Sequence, residues 1–178
     1  MGQKGYTGGD PTGLNIEGVG GTYTDPLTRR LTGWTSHGDF RINVPFITEI
    51  APNLFHGGVE TGLVLPENIL HVLSLYKWEE YTVRHKLLSK LTVEMYDATD
   101  QDLEGVTELA EWVNNARKTG PVLVHCQAGL NRSSLVVAKA LLLSGEAENG
   151  PQAIDMIRTA RTEACLCNPA FASWVAAQ

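Results

Sequence analysis

Pro121-Val122-Leu123-Val124-His125-Cys126-Gln127-Ala128-Gly129-Leu130-Asn131-Arg132-Ser133-Ser134 is the stretch on which the reading of this chain turns. Its first five residues form an apolar run of β-forming side chains. The segment that follows, about Ser133 to Ser144, is apolar nearly all round, the pattern of a helix buried inside a domain. A strand that turns sharply into a helix aims several backbone N–H groups at one point, and the helix N-terminus adds about half a positive charge there. Such a cradle suits a phosphate. Gly129 can take a backbone conformation closed to other residues, which lets the loop curl, and the planar fork of Arg132 can grip two phosphate oxygens at once. The same field acts on the Cys126 thiol, because a helix N-terminus and a nearby cation favour the thiolate. Taken singly, Cys126 reads as a small buried hydrophobe, His125 as a hydrogen-bonded core residue and Arg132 as a surface cation. At these offsets between a strand and a helix they read as a nucleophile seated where the group it attacks is bound.

Working outward, Asn53–His56, Leu70–Leu75 and Leu91–Tyr96 read as further short strands, and Phe40, Ile42 and Val44 alternate with Arg41 and Asn43 as in a half-buried strand that Pro45 ends. A helix carries Leu103, Val106, Leu109, Ala110 and Val113 on one face, with Asp100 and Asp102 near its start and Gly120 past its end. Another opens at Pro151, and a last one follows Asn168-Pro169. Strands interleaved with helices imply an α/β domain: a central four- to five-stranded mixed sheet flanked by helices, with the phosphate-binding loop between a strand and the central helix. Ten of the 18 glycines fall in the first 38 residues, so residues 1–38 are expected to be a Gly-rich extension of loop or tail, and 39–178 the catalytic domain. Gly18-Val19-Gly20-Gly21 lacks the spacing of a dinucleotide fingerprint.

The 178 residues, 43% of them apolar, fit one domain with a core that needs no disulfide or metal. A formal charge of −6 with scattered basic residues lacks the electrostatic footprint of a nucleic-acid binder, so DNA is not an expected partner. Three cysteines are too few for a disulfide framework and indicate a reducing, cytoplasmic setting. The first residues lack the apolar core of a signal peptide. The run Leu135–Leu143 is about half the length needed to cross a bilayer, so no membrane association is expected. Cys165 and Cys167 have no histidine partners for a zinc site and read as ordinary buried thiols rather than a metal pair or resolving thiols.

The His-Cys-x5-Arg-Ser loop resembles the signature of cysteine-dependent protein tyrosine phosphatases, specifically their small dual-specificity branch, over roughly Ile47 to Val175. Ile50-Ala51-Pro52-Asn53-Leu54-Phe55-His56-Gly57 is similar to that family's first core strand, and Asn168-Pro169-Ala170-Phe171 to the opening of its last helix. The resemblance implies hydrolysis of phosphotyrosine, and of phosphoserine and phosphothreonine, on a protein or peptide by a monomeric enzyme without metal or cofactor. Cys126 is then the nucleophile, and Arg132 and the amides of Gln127, Ala128, Gly129, Leu130 and Asn131 hold the phosphoryl group. Ser133 bonds the thiolate and eases its departure, and His125 orients the loop from beneath. Departure of the substrate oxygen needs a proton, and the following hydrolysis needs a base. Asp97, 29 residues before Cys126, matches the family's general acid. Asp100 is its rival, with a helix-cap reading beside it.

Asn131 departs from the serine that many dual-specificity enzymes carry, and Gly-x-Asn-Arg is similar to the RNA 5′-phosphatase branch, which makes an RNA 5′ end the alternative substrate. Asp97 and the acidic balance speak against it. The phosphoinositide-directed relatives carry loop lysines, absent here. A catalytically silent phosphate-binding module is a third reading, opposed by the joint presence of Cys126, Arg132 and Asp97.

Overall fold

The structure is a computed structural model that describes residues 15–18 and 24–178. The expectations for the first residues and for most of the Gly18–Gly21 run lie outside that description. Among the described residues eight strands and four helices follow one another: β1 (Asn15–Gly18), β2 (Arg30–Trp34), β3 (Arg41–Pro45), β4 (Ile47–Ala51), β5 (Leu54–Gly57), β6 (His71–Ser74), β7 (Ser89–Thr92), α1 (Val106–Arg117), β8 (Val122–His125), α2 (Arg132–Leu143), α3 (Gly150–Ala160) and α4 (Pro169–Ala176).

A five-stranded mixed sheet in the order β4-β5-β8-β6-β7 forms the centre, antiparallel at β4–β5 and parallel elsewhere. Alternation of side chains along β5, β6 and β8 divides the apolar residues between two faces. Leu54, Leu73, Val122 and Val124 join Val106, Ala110 and Val113 of α1 and Leu135 to Ala138 of α2 in the larger core. Phe55, Val72 and Leu123 face the other way, under Leu65, Ile69 and the half-buried Tyr81, Val83 and Leu87 of the connecting segments. β8 is central and buried at every position, which is why its sequence is a continuous apolar run rather than an alternation. Both of its neighbours end level with His125, pairing it with Gly57 on one side and Ser74 on the other. The loop after His125 therefore leaves the sheet at the carboxyl ends of three parallel strands, where open α/β sheets place their ligands.

The fold differs from the sequence reading in four places. The Gly-rich segment expected to be loop or tail supplies β1 and β2, which pair with β3 in a three-stranded antiparallel sheet. Leu31 of β2 is buried in the main core with Ile42 and Val44 of β3, so its composition hid a strand whose single apolar anchor is met only across the hairpin. β4 was not foreseen. β7 covers 89–92 instead of 91–96: Val93 N–H still bonds Ser74 O, after which the edge strand turns away toward the loop. α1 begins at Val106 rather than near Leu103, because Asp102 Oδ1 accepts from Glu104 N in a turn that precedes the helix.

Candidate active site

The backbone of the 126–132 loop is curled, and its carbonyls show which way it faces. Gln127 O accepts from Val59 N (2.9 Å) and Leu130 O from Leu166 N (2.8 Å). Ala128 O and Gly129 O accept from the buried Arg161 guanidinium (3.1 and 2.9 Å). With the oxygens engaged on the outside, the peptide N–H groups turn inward around the sulfur, and Gly129 N donates to Cys126 Sγ at 3.3 Å. Gly129 sits at φ 66°, and a Cβ there would lie 2.3 Å from the Gly57 carbonyl carbon, so both the turn and the close strand approach demand glycine. Asn131 occupies the N-cap of α2 without capping it, which leaves the first helical amides open to a bound anion.

Cys126 is 2% exposed, and burial alone pushes its thiol up. The Arg132 guanidinium, the Ser133 hydroxyl (3.2 Å from Sγ) and the Ser133 and Leu130 amides outweigh burial and hold it below the usual thiol range. Arg132 is itself anchored: Nη1 donates to Met95 O (3.2 Å) and the guanidinium lies 5.6 Å over the Tyr76 ring, while its enclosed Nε has no hydrogen-bond partner.

Asp97 lines the same cleft as Cys126, Gln127, Ala128, Leu130, Asn131 and Arg132; Asp100 is exposed and does not. The Asp97 carboxylate accepts from Asn131 Nδ2 on Oδ2 and from Asn168 Nδ2 on Oδ1, each at 2.8 Å. Asn131 therefore ties the acid to the loop, a role apart from its expected phosphate contact. Asn168 caps α4, where its Oδ1 accepts from Ala170 N, and positions the acid with the other end of the same amide. The cleft is a shallow hollow of about 280 Å³, part of it open to solvent.

His125 lies beneath the loop with Nδ1 3.3 Å from Cys126 O, and Nε2 3.1 Å from both Glu79 Oε2 and Tyr81 OH. Burial works against the Glu79 charge, yet His125, Lys90 and Ser74 bring its carboxyl down to about 2.

Sequence reasoning missed Arg161, Glu79, Tyr81 and the loop between β2 and β3. That loop adds Thr35 and Ser36 to the cleft wall and brings His37 Nε2 to 3.7 Å from Asp97 Oδ1. Cys167, expected to be an ordinary buried thiol, is only partly buried and lines the cleft, with Sγ 3.4 Å from Asn131 Nδ2. Cys165 is buried as expected, and burial pushes its thiol up to about 11. Among the described residues no group of three or more His, Cys, Asp or Glu side chains could hold a metal, and no helix is long and apolar enough to cross a membrane.

A mixed sheet whose central strand feeds a Cys-x5-Arg loop into a buried helix defines a cysteine-dependent protein tyrosine phosphatase fold. The chain belongs to the dual specificity phosphatase catalytic-domain family, which matches residues 66–177. It is 30% identical to a probable dual specificity protein phosphatase of Dictyostelium discoideum over 53% of this chain and 45% of that one. It is also 30% identical to dual specificity protein phosphatase 19 of Mus musculus, over 61% of this chain and 49% of that one. The matched segment thus spans about half the length of these curated relatives. In fold it is similar to the human tyrosine phosphatase-like serine/threonine/tyrosine-interacting protein, with a TM-score of 0.61 and 20% identity over 72% of this chain and 92% of that one.

Proposed function

We propose that this protein hydrolyses phosphomonoesters on proteins, phosphotyrosine first and phosphoserine and phosphothreonine with it, through a cysteinyl-phosphate intermediate. The observation that carries the reading is the convergence on one cleft of a sulfur biased toward thiolate, an anchored guanidinium and a carboxyl group. In the first step the Cys126 thiolate attacks phosphorus, the P–O bond breaks, and the departing oxygen takes a proton from Asp97. Loop amides and Arg132 hold the three remaining oxygens and meet the charge that develops on them. In the second step Asp97, now a carboxylate, takes a proton from water as the water oxygen bonds phosphorus. The P–S bond then breaks, and phosphate and thiolate are released.

His125 supports the loop, and Ser133 stabilises the sulfur in both steps. The reading places the enzyme in a reducing compartment, with phosphorylated proteins as substrates and no metal in the reaction. The test is hydrolysis of a small aryl phosphate by the wild type and by Cys126→Ser, followed by competition among phosphotyrosine peptide, phosphothreonine peptide and 5′-triphosphorylated RNA. Turnover by the wild type alone, with phosphopeptides ahead by kcat/KM, is expected. Negligible turnover by both, or preference for the RNA, would overturn the assignment.

A further inference from the structure

His56 is a fully buried imidazole that the catalytic cycle above does not use. It sits in β5 one residue before Gly57, so the parallel pairing of β5 with β8 carries it beneath the phosphate loop. Its Nε2 lies 2.9 Å from Ser133 Oγ and 3.1 Å from Ser134 Oγ. Its Nδ1 is enclosed by protein with no hydrogen-bond partner. Burial, and then the positive charge of Arg161, hold the ring well below the usual histidine range, so it is neutral and carries a single N–H.

Resting on the catalytic reading above, we propose that His56 is a positioning residue of the active site: its Nε2–H donates to Ser133 Oγ and thereby turns the Ser133 proton toward the Cys126 sulfur. The alternative tautomer places the N–H on Nδ1, where a buried donor meets no acceptor, and orphaned buried N–H groups are the rarer defect. It also makes Nε2 an acceptor, and since Ser133 Oγ at 2.9 Å is nearer than Ser134 Oγ at 3.1 Å, a Ser133 proton drawn to it would leave oxygen lone pairs facing the sulfur at 3.2 Å. With the hydrogen on Nε2 every donor in the network finds an acceptor. Ser133 donates to Cys126, Ser134 bonds the Cys165 sulfur, and Cys165 faces Gly129 O at 3.9 Å. The position of one hydrogen on a residue outside the Cys-x5-Arg loop therefore decides whether the contact at the nucleophile attracts or repels a thiolate. The same proton serves again when sulfur becomes the leaving group.

The charged and titratable groups around this hydrogen-bond chain are Arg161 and Cys165 beside His56, and His125, Arg132, Asp97 and Cys167 around Cys126. A substitution at 56 leaves each of them in place. The test reads the pH dependence of Cys126 alkylation by iodoacetate in the full chain, with the labelled peptide identified by mass. His56→Leu is expected to move the titration midpoint up by about one pH unit, or about tenfold less thiolate below the midpoint. Ser133→Ala moves it in the same direction. The double variant moves it no further than Ser133→Ala alone, because His56 acts through that hydroxyl. His56→Gln, which retains an N–H donor, keeps the midpoint close to the wild-type value. A wild-type midpoint in His56→Leu, or shifts that add in the double variant, would overturn the proposal. Should His56→Leu not fold, His56→Met carries the same comparison. Alkylation needs no turnover, so a wild type inert toward aryl phosphate would sink the proposed function while the thiol titration still decided the role of His56.

Discussion

Cys126, Arg132 and Asp97 are brought together by contacts that each take a different kind of restraint. Arg132 is held by a backbone carbonyl and an aromatic ring, so its charge is already in place for the proposed phosphoryl transfer, and preorganised charge of this kind costs no rearrangement. Asp97 is held by two side-chain amides, one from the phosphate loop and one from the cap of α4. Acid assistance matters most where the leaving oxygen is most basic. Asp97→Asn is therefore expected to lower kcat/KM by about 10²-fold on phosphothreonine peptide, in the range typical of general acids, and far less on an activated aryl phosphate. Equal slowing on both substrates, measured side by side, would remove Asp97 from the acid role. At this scale the sequence was legible where motif spacing is local: His125, Cys126, Gly129, Arg132 and Ser133 lie within nine residues. Glu79 and Arg161 were not, since a carboxylate and a guanidinium far along the chain have no periodicity that announces a buried partner.

Arg161 links elements rather than residues. Its guanidinium donates to Gly129 O and Ala128 O on the phosphate loop, and to Pro45 O, Phe46 O and Thr48 Oγ1 where β3 passes into β4. One side chain thus fastens the outside of the Cys-x5-Arg loop to the base of the N-terminal hairpin. Arg161→Met keeps much of the volume and removes every donor, leaving buried carbonyls unpaired. We expect a loss of about 3 kcal/mol or more, seen as a fall in Tm, together with a lower kcat/KM because the loop amides lose their orientation. A variant with wild-type Tm and kinetics would show that water or backbone adjustment replaces the guanidinium. The central helix and α3 were legible from their apolar pattern and from Pro151 at the first turn, and Asn149 does cap α3 by accepting from Gln152 N. The end of β7 was not, because apolar residues continue to Met95 after the ladder stops: Met95 is buried in the main core, with its carbonyl on Arg132, but outside the sheet.

Two properties belong to the whole molecule. Leu31 is fully buried among residues of the main core although the segment around it reads as tail, so the hairpin is part of the packed body. Leu31→Ala is expected to cost about 2–5 kcal/mol and to lower Tm by about 4–20 °C; an unchanged Tm would show that β2 packs only loosely. Acid stability has a defined contributor in Glu79. Its carboxyl is depressed from about 4.5 to about 2 in the folded protein, so the stability it adds is fully present above about pH 4.5 and is lost as pH falls through about 2. Wild type and Glu79→Gln should therefore converge in stability on acidification, and parallel curves from pH 6 to pH 2 would contradict this. Composition, local apolar pattern and one loop determined by themselves the α/β class, the central strand and helix, and the Cys-x5-Arg loop between them. These depend on neighbours within a few residues, where side-chain type and backbone propensity act directly. Only the tertiary structure decided that a Gly-rich start supplies a wall of the cleft, that Asn131 and Asn168 hold Asp97, and that His56 lies under Ser133. Each of those contacts joins segments tens of residues apart, and such pairings are selected by burial and shape once the sheet has closed, which no local pattern encodes.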